Sequence, residues 1–221
     1  MASTDLSPGL RTRQQLARVA TIALVGVAYF AVVIVVLHFL RPDLNPISSP
    51  TSEYAVGPFG FLMTSAFFGM SLGSFALVIG LYRGVSQRAR SGIGLGLLGI
   101  WAVGVLIAMS FPIDPEGATQ TISGTIHRIN GPLAFLSLTA GTILVSRRFK
   151  QDALWRPIHR TAVILSLVML AAFIATFLNI ATASGFAGLC QRIYLVAFVS
   201  WFLLTAARLR SVSSESVPPR K

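Results

Sequence analysis

The stretch LARVATIALVGVAYFAVVIVVLHFL, residues 16–40, decides the fold. Its interior is almost entirely Ala, Val, Ile and Leu, and about 20 apolar residues suffice for a helix to cross the hydrocarbon core of a bilayer. The run is too long for the core of a signal peptide and reaches Leu40 without a convincing cleavage site. We therefore predict that it is an uncleaved first membrane span.

Five more apolar runs follow, at about residues 58–82, 92–111, 127–146, 159–183 and 186–207. Of the 221 residues, 54% are hydrophobic and only 11% are charged, against about 25% charged residues in ordinary soluble domains. This composition excludes a water-soluble globular enzyme. The sequence predicts an all-α integral membrane bundle of six transmembrane helices over residues 16–208, with a cytoplasmic tail at 1–15 and a disordered cytoplasmic tail at 209–221.

The basic residues predict the orientation of this bundle. Of the 18 Lys and Arg residues, 15 flank the spans on the side of the N-terminus, and only Arg41, Arg128 and Arg192 lie on the other side. Because cytoplasmic loops carry the excess of Lys and Arg, we expect both termini in the cytoplasm of a prokaryotic cell, with the protein in its plasma membrane. The same basic rim predicts contact with anionic inner-leaflet lipid. Short basic clusters between apolar runs do not indicate nucleic-acid binding.

Two glycine pairs predict how spans pack. Gly69 and Gly73 lie four residues apart in the second span, as do Gly92 and Gly96 in the third. Since such spacing lets two helices approach closely, we expect contact between the second and third spans.

Polar residues collect at one predicted depth. Counting the 1.5 Å rise per residue from the cytoplasmic arginines places ten of them near the outer membrane interface. They are His38, Glu53, Tyr54, Asp114, His127, Arg128, Asn179, Gln191, Arg192 and Tyr194. For Glu53 to join this layer, the loop before the second span must fold back over the bundle. The sequence therefore predicts a polar site open to the outer leaflet or the exterior.

Several chemistries fit this layer. Arg192 is costly within a span, so we expect it either to extend its side chain outward to the interface or to pair with Glu53 or Asp114, as a structural salt bridge or in a ligand site. Arg128 and Arg192 can hold a lipid phosphate, with Glu53 and Tyr54 completing a ligand-binding set. His127 and Asp114 form the candidate catalytic pair. The candidate metal ligands are His38, His127 and Asp114, and a haem between His38 and His127 is the remaining alternative. No motif identifies a cofactor.

Each candidate also has an ordinary structural interpretation. Asp114 can cap a turn, Glu53 can complement a helix N-terminus, and His38 and His127 can be interfacial side chains. The single cysteine, Cys190, rules out an intrachain disulfide. The sequence does not indicate the oligomeric state.

Several blocks together resemble a known family. They are HFLRPD at 38–43, PIS at 46–48, SEY at 52–54, FPxD at 111–114 with His127, and RRF at 147–149. The chain from about 18 to 208 resembles the prokaryotic six-span family labelled domain of unknown function 998. The loop after the first span is also faintly similar to the eukaryotic Frag1/DRAM/Sfk1 membrane proteins, some of which are linked to lipid remodelling or lipid asymmetry. The first resemblance implies an integral membrane protein without a settled activity.

Three function classes follow. The leading hypothesis is a protein that binds a lipid headgroup or small ligand at the outer interface. The alternative is a membrane-embedded hydrolase or acyltransferase acting on lipid. A small-solute transporter ranks third, because transporter sites normally lie near the midplane at broken helices, and the spans carry no midplane charge.

Overall fold

The computed structural model describes residues 8–115 and 117–214. Six long helices run alternately up and down: α1 (Pro8–Leu40), α2 (Gly60–Gly84), α3 (Gly92–Ser110), α4 (Ile122–Arg148), α5 (His159–Ala181) and α6 (Ala187–Ser214). Short 3-10 turns lie at Thr51–Ala55, Gln87–Ala89, Phe149–Gln151 and Arg156–Ile158. All six helices are long and apolar enough to cross a membrane. The predicted all-α six-span fold is confirmed.

The helices form a closed ring. Each packs against its neighbours in chain order, and α6 returns to α1. We call the end with residues 41–59, 111–121 and 182–186 the loop end, and the other the terminal end. Aromatic side chains fill the interior, and valines such as Val32 and Val196 are 60% and 69% exposed on the outside. A helix that is apolar all round suits such a bundle in lipid.

The first and last helices extend beyond their expected bounds. α1 begins at Pro8 and α6 continues to Ser214, so residues 8–15 and 209–214 are helical where tails were expected. The rest of those expected tails, residues 1–7 and 215–221, lies outside the described residues.

The expected role of the glycine pairs is wrong. A Cβ at Gly26 of α1 would clash with the carbonyl oxygen of Gly69, and one at Gly73 would lie 3.2 Å from that of Ala23. The α2 glycines therefore bring α2 against α1, while a Cβ at Gly96 would meet nothing within 4 Å. The helices α2 and α3 do pack together, through polar groups: Ser71 Oγ donates to the carbonyl of Ala102 at 2.8 Å.

A buried tryptophan anchors the terminal end. Trp155 is fully buried, and its Nε1–H donates to the carbonyl of Gly84 at 3.0 Å. The nearly buried Asp152 carboxylate accepts from the backbone N–H groups of Ser86 and Leu154, at 2.9 Å each. His159 lies at this end, away from the polar layer, and contacts the carbonyl of Ser146. The contacts of Trp155 and Asp152 therefore join the α4–α5 connection to the α2–α3 connection at the terminal end.

Candidate functional site

Arg192 lies in the second turn of α6 and is held by four hydrogen bonds. Its Nε–H donates to Nε2 of His38 at 2.8 Å, and one terminal nitrogen donates to the hydroxyl of Tyr54 at 3.2 Å. The other donates to the carbonyls of Ser49 at 2.8 Å and Gly188 at 3.1 Å. None of these four partners is a carboxylate, so the expected pairing of Arg192 with Glu53 or Asp114 is wrong.

His38 serves as an acceptor because its other nitrogen is engaged. Its Nδ1 lies 2.6 Å from the carbonyl oxygen of Ile34, which can only accept, so Nδ1 carries the proton. The lone pair of Nε2 then faces Arg192. The His38 and Tyr54 rings pack at 5.3 Å, and Tyr54 is only 1% exposed. We call His38, Tyr54 and Arg192 the arginine latch.

The arginine latch fastens the first loop, residues 41–59, to α6. Besides the contact at the Ser49 carbonyl, two more hydrogen bonds join the loop to α6. The N–H of Leu189 donates to the carbonyl of Ile47 at 2.9 Å, and the N–H of Thr51 donates to Oε1 of Gln191 at 2.8 Å. A Cβ at Gly188 would lie 2.6 Å from the carbonyl oxygen of Ser49. Only glycine at this position admits such close packing. The expectation that the loop folds back over the bundle is therefore confirmed.

Arg41 closes the same loop internally and was missed as a site residue. Its guanidinium forms a fork on the Asp43 carboxylate, with a shortest contact of 2.7 Å, and donates to the carbonyl of Val56 at 2.6 Å. The hydrogen bond to Asp43 and the charge of its carboxylate raise the pKa of Arg41, and the same hydrogen bond lowers the pKa of Asp43. Gly57, with φ of 77°, lies beside the guanidinium. The sequence signal was Arg-Pro-Asp directly after an apolar span.

Asp114 supports the N-cap of α4 rather than orienting His127. Its carboxylate accepts from the N–H of Thr121 at 2.9 Å and from the Thr121 hydroxyl at 2.6 Å. Thr121 is the N-cap of α4 and accepts from the N–H of Gly124. The two Thr121 hydrogen bonds lower the pKa of Asp114, and the charge of Arg128 adds to this effect. Asp114 is thus a capping carboxylate, which was its structural interpretation.

His127 lies in the second turn of α4 and is 8% exposed. Its Nδ1 lies 2.9 Å from the carbonyl oxygen of Phe111, so Nδ1 donates and Nε2 keeps its lone pair. No hydrogen bond between His127 and Asp114 is present. The carbonyl of Phe111 thus occupies the position beside Nδ1 that was predicted for the Asp114 carboxylate.

The centre of the ring contains an apolar cavity of about 340 Å³. Its walls are largely apolar, with several aromatic side chains, and include residues from all six helices. The deep part is lined by Phe30, Met70, Trp101, Phe135, Tyr194 and Phe198, and the loop end by Thr51, Ser52, His127, Arg128 and Gln191. The Tyr194 hydroxyl donates to the carbonyl of Phe135 at 2.9 Å. Tyr194 therefore forms part of the cavity wall rather than an outer polar layer.

A second pocket of about 290 Å³ adjoins this cavity. We call it the annex. It is lined by Ser48, Ser49, Glu53, Ala187, Pro50, Thr176, Ile180 and Gln191, the last four of which also line the cavity. Gln191 presents its side chain to both spaces.

The structure thus divides the predicted layer into two groups. His38, Tyr54 and Arg192 meet in the latch, while His127, Arg128 and Gln191 surround the cavity mouth. Asn179 contacts Ser184 and Cys190 at the turn after α5. Among the described residues, no three His, Cys, Asp or Glu side chains converge as metal ligands. The nitrogens of His38 are both engaged, which argues against metal or haem ligation by this residue.

Comparison with known proteins gives one match. A family model described as a protein of unknown function, DUF998, matches residues 24–208. The chain belongs to this family. The suspected resemblance to domain of unknown function 998 is therefore confirmed, while similarity to the Frag1/DRAM/Sfk1 proteins stays a prediction. No curated protein and no solved structure matches the chain.

We predict that Arg192→Met releases the first loop and destabilises the bundle. Hydrogen bonds to a charged group contribute about 1.5–3 kcal/mol, so we expect a loss of at least that size in the free energy of unfolding in detergent. Hydrogen exchange at Thr51 and Leu189 should accelerate, because their N–H groups bond across the loop and α6. The control is Arg160→Met, on an exposed residue of α5. Equal stability of the two variants would contradict the latch.

Proposed function

We propose that this protein binds a membrane lipid, with an acyl chain in the apolar cavity and the headgroup at the loop end. The observation that carries the proposal is the cavity itself. Its deep walls are Phe, Trp and Met side chains, and its mouth carries Arg128, His127 and Gln191. Apolar cavities stay dry and accept apolar ligands. In a membrane the abundant ligand of that kind is a lipid chain.

The arginine latch supports this proposal indirectly. Arg192 holds the carbonyl of Ser49 against α6, beside the hydrogen bond from the N–H of Thr51 to Gln191, and residues 50–52 thereby lie at the mouth of the cavity. Arg192 is thus a positioning residue. The ligand-facing cation is instead Arg128, which is exposed and lines the mouth.

A substitution within the cavity tests the proposal. Ala108 of α3 lines the cavity, so Ala108→Phe fills part of it. Overpacking costs about 1–3 kcal/mol, and about 1.4 kcal/mol is tenfold in affinity. We therefore expect labelling by a phospholipid with a photoreactive acyl chain to fall by about tenfold. Val103→Phe is the control, because Val103 lies on the same helix and is 47% exposed.

The readout is the mass of crosslinked lipid per protein in nanodiscs, with the labelled peptides mapped. Labelling should concentrate at cavity residues such as Phe135 and Phe177. Identical labelling of wild type, Ala108→Phe and Val103→Phe would show that lipid contacts only the outer surface, and would overturn the proposal.

A second candidate function is a hydrolase or acyltransferase acting on lipid. One observation favours it: His127 lines the cavity, and its Nδ1–H is held by the Phe111 carbonyl. Nε2 is then available as a general base, because a fixed tautomer leaves its lone pair unprotonated.

The second candidate predicts a separation of binding from turnover. His127→Gln should keep the lipid crosslinking of the wild type but lose release of fatty acid from a phospholipid ester. Asp114→Asn is the control and should retain turnover, because Asp114 bonds Thr121 and not His127. Turnover that is undetectable in the wild type, or unchanged in His127→Gln, would exclude this candidate.

We further propose that the terminal end faces the cytoplasm of a prokaryotic cell and contacts anionic lipid there. The support is the distribution of charge, with 15 of 18 Lys and Arg residues assigned to that side, together with the positive-inside rule. A green fluorescent protein fused after Lys221 should be fluorescent, and alkaline phosphatase fused at the same point should be inactive. The reverse result would place the loop end in the cytoplasm.

A further inference from the structure

The arginine latch contains one group whose role in hydrogen bonding changes with pH. His38 lies in the last turn of α1, at the loop end, and is half-buried. An imidazole is the side chain that ordinarily changes its charge between pH 5 and 8. In the latch its Nδ1–H donates to the carbonyl of Ile34 at 2.6 Å, and its Nε2 accepts from the Nε–H of Arg192 at 2.8 Å. The contact with Arg192 therefore requires a neutral imidazole.

A proton on His38 turns this contact from attractive to repulsive. Both nitrogens of an imidazolium are donors, so Nε2–H would face the Nε–H of Arg192 across 2.8 Å. Turning the ring over does not restore an acceptor, because the other nitrogen then donates as well. The added positive charge also lies directly beside the guanidinium, and like charges in contact repel. The other three acceptors of Arg192 are a hydroxyl and two backbone carbonyls, which are neutral.

The first loop is the element that this repulsion displaces. The helices α1 and α6 pack along each other, whereas the loop is joined to α6 by a few hydrogen bonds. Two of these bonds come from the guanidinium of Arg192, which donates to the carbonyl of Ser49 and to the hydroxyl of Tyr54. A shift of the guanidinium away from His38 breaks both attachments. Residues 50–52, which lie between them, line the mouth of the cavity.

We propose that His38 is an acid-sensitive switch, whose protonation breaks the contact with Arg192 and releases the first loop from α6 at the mouth of the cavity. The closed latch binds the neutral ring, so a fall in pH favours the open form. The latch is closed above the pH at which His38 takes up a proton and open below it. This inference concerns the movement of the loop and goes beyond the proposed function, because it holds whatever ligand the cavity takes.

Other charged and titratable groups near His38 come from α6, the first loop and the chain directly after α1. They are Arg192, Tyr54, Glu53, Asp43 and Arg41. On α2, which also packs against α1, the titratable side chains lie at the terminal end. Arginine and tyrosine side chains ordinarily keep their protons below pH 8. The hydrogen bond from Arg41 lowers the pKa of Asp43, so this carboxylate stays charged down to pH 5. Glu53 requires its own control.

The test is hydrogen exchange of the full-length protein in nanodiscs between pH 8 and pH 5, expressed as protection factors to remove the intrinsic pH dependence of exchange. The N–H groups of Thr51 and Leu189 report on the latch, because both bond across the loop and α6. We expect their protection to fall at least about tenfold toward pH 5, the scale of a lost hydrogen bond to a charged group, and to approach that of Arg192→Met. The N–H of Val85, at the terminal end, should keep its protection.

Three glutamine variants assign the effect to one residue. In His38→Gln the side-chain carbonyl can accept from Arg192 but takes up no proton in this range, so the protection factors should not change with pH. They stay flat even where glutamine fails to close the latch, since protection is then low at every pH. His159→Gln is the matched control, because its Nδ1 likewise contacts a backbone carbonyl but lies at the terminal end. His159→Gln and Glu53→Gln should both keep the fall seen in the wild type.

Two kinds of result would overturn the switch. Protection that is independent of pH in the wild type would show that the latch tolerates a protonated His38. A fall that persists in His38→Gln, or that disappears in Glu53→Gln, would show that another group controls the loop. No ligand is added in these measurements, so their outcome and that of lipid labelling in Ala108→Phe are independent, and either proposal can fail while the other stands.

Discussion

The structure depends on hydrogen-bond acceptors for one guanidinium, that of Arg192, near the end of a membrane span. Arg192 is partly buried against the first loop, and its guanidinium carries five N–H donors that require acceptors. A carboxylate is the usual answer, but here His38, Tyr54 and two backbone carbonyls accept the hydrogen bonds. Because one of those carbonyls belongs to Ser49, satisfying the arginine also fixes the first loop. The hydrogen bonds that stabilise the charged guanidinium therefore also set the position of the loop.

The latch has a further consequence for the cavity. Residues 50–52 form one side of its mouth, and they follow directly after the carbonyl that Arg192 binds. Arg41 and Asp43 hold the loop at its start, through contacts that reach Val56 and Pro58. Arg41 and Arg192 thus hold the first loop over the apolar cavity without lining it. The polar residues of the loop end divide into those that hold the first loop in place and those that line the cavity.

Much of this arrangement could be predicted from sequence. Apolar runs of span length specify six helices, and helical rise places His38 and Arg192 at the same depth, where they meet. The identity of the partners could not be predicted, because depth says nothing about which face of a helix a side chain occupies. Charge arguments favoured a carboxylate for Arg192 and overlooked neutral acceptors. The Gly69–Gly73 pair was assigned to the wrong neighbour for the same reason: spacing reveals a close approach but not its partner. The cavity depends on side chains from six helices and has no linear signal.

The cavity is also one-ended, which bears on the third function class. Its deepest walls are formed by residues such as Met70 and Trp101, and below them Leu77, Trp201 and Phe202 are almost fully buried. Trp201 is further fixed by its hydrogen bond to Ser146 Oγ at 2.8 Å. A solute crossing the bundle would have to displace this packed layer, because interiors at such density deform little. A ligand that enters from the bilayer and leaves by the same route requires no such rearrangement. The architecture therefore favours binding, with or without chemistry at His127, over transport.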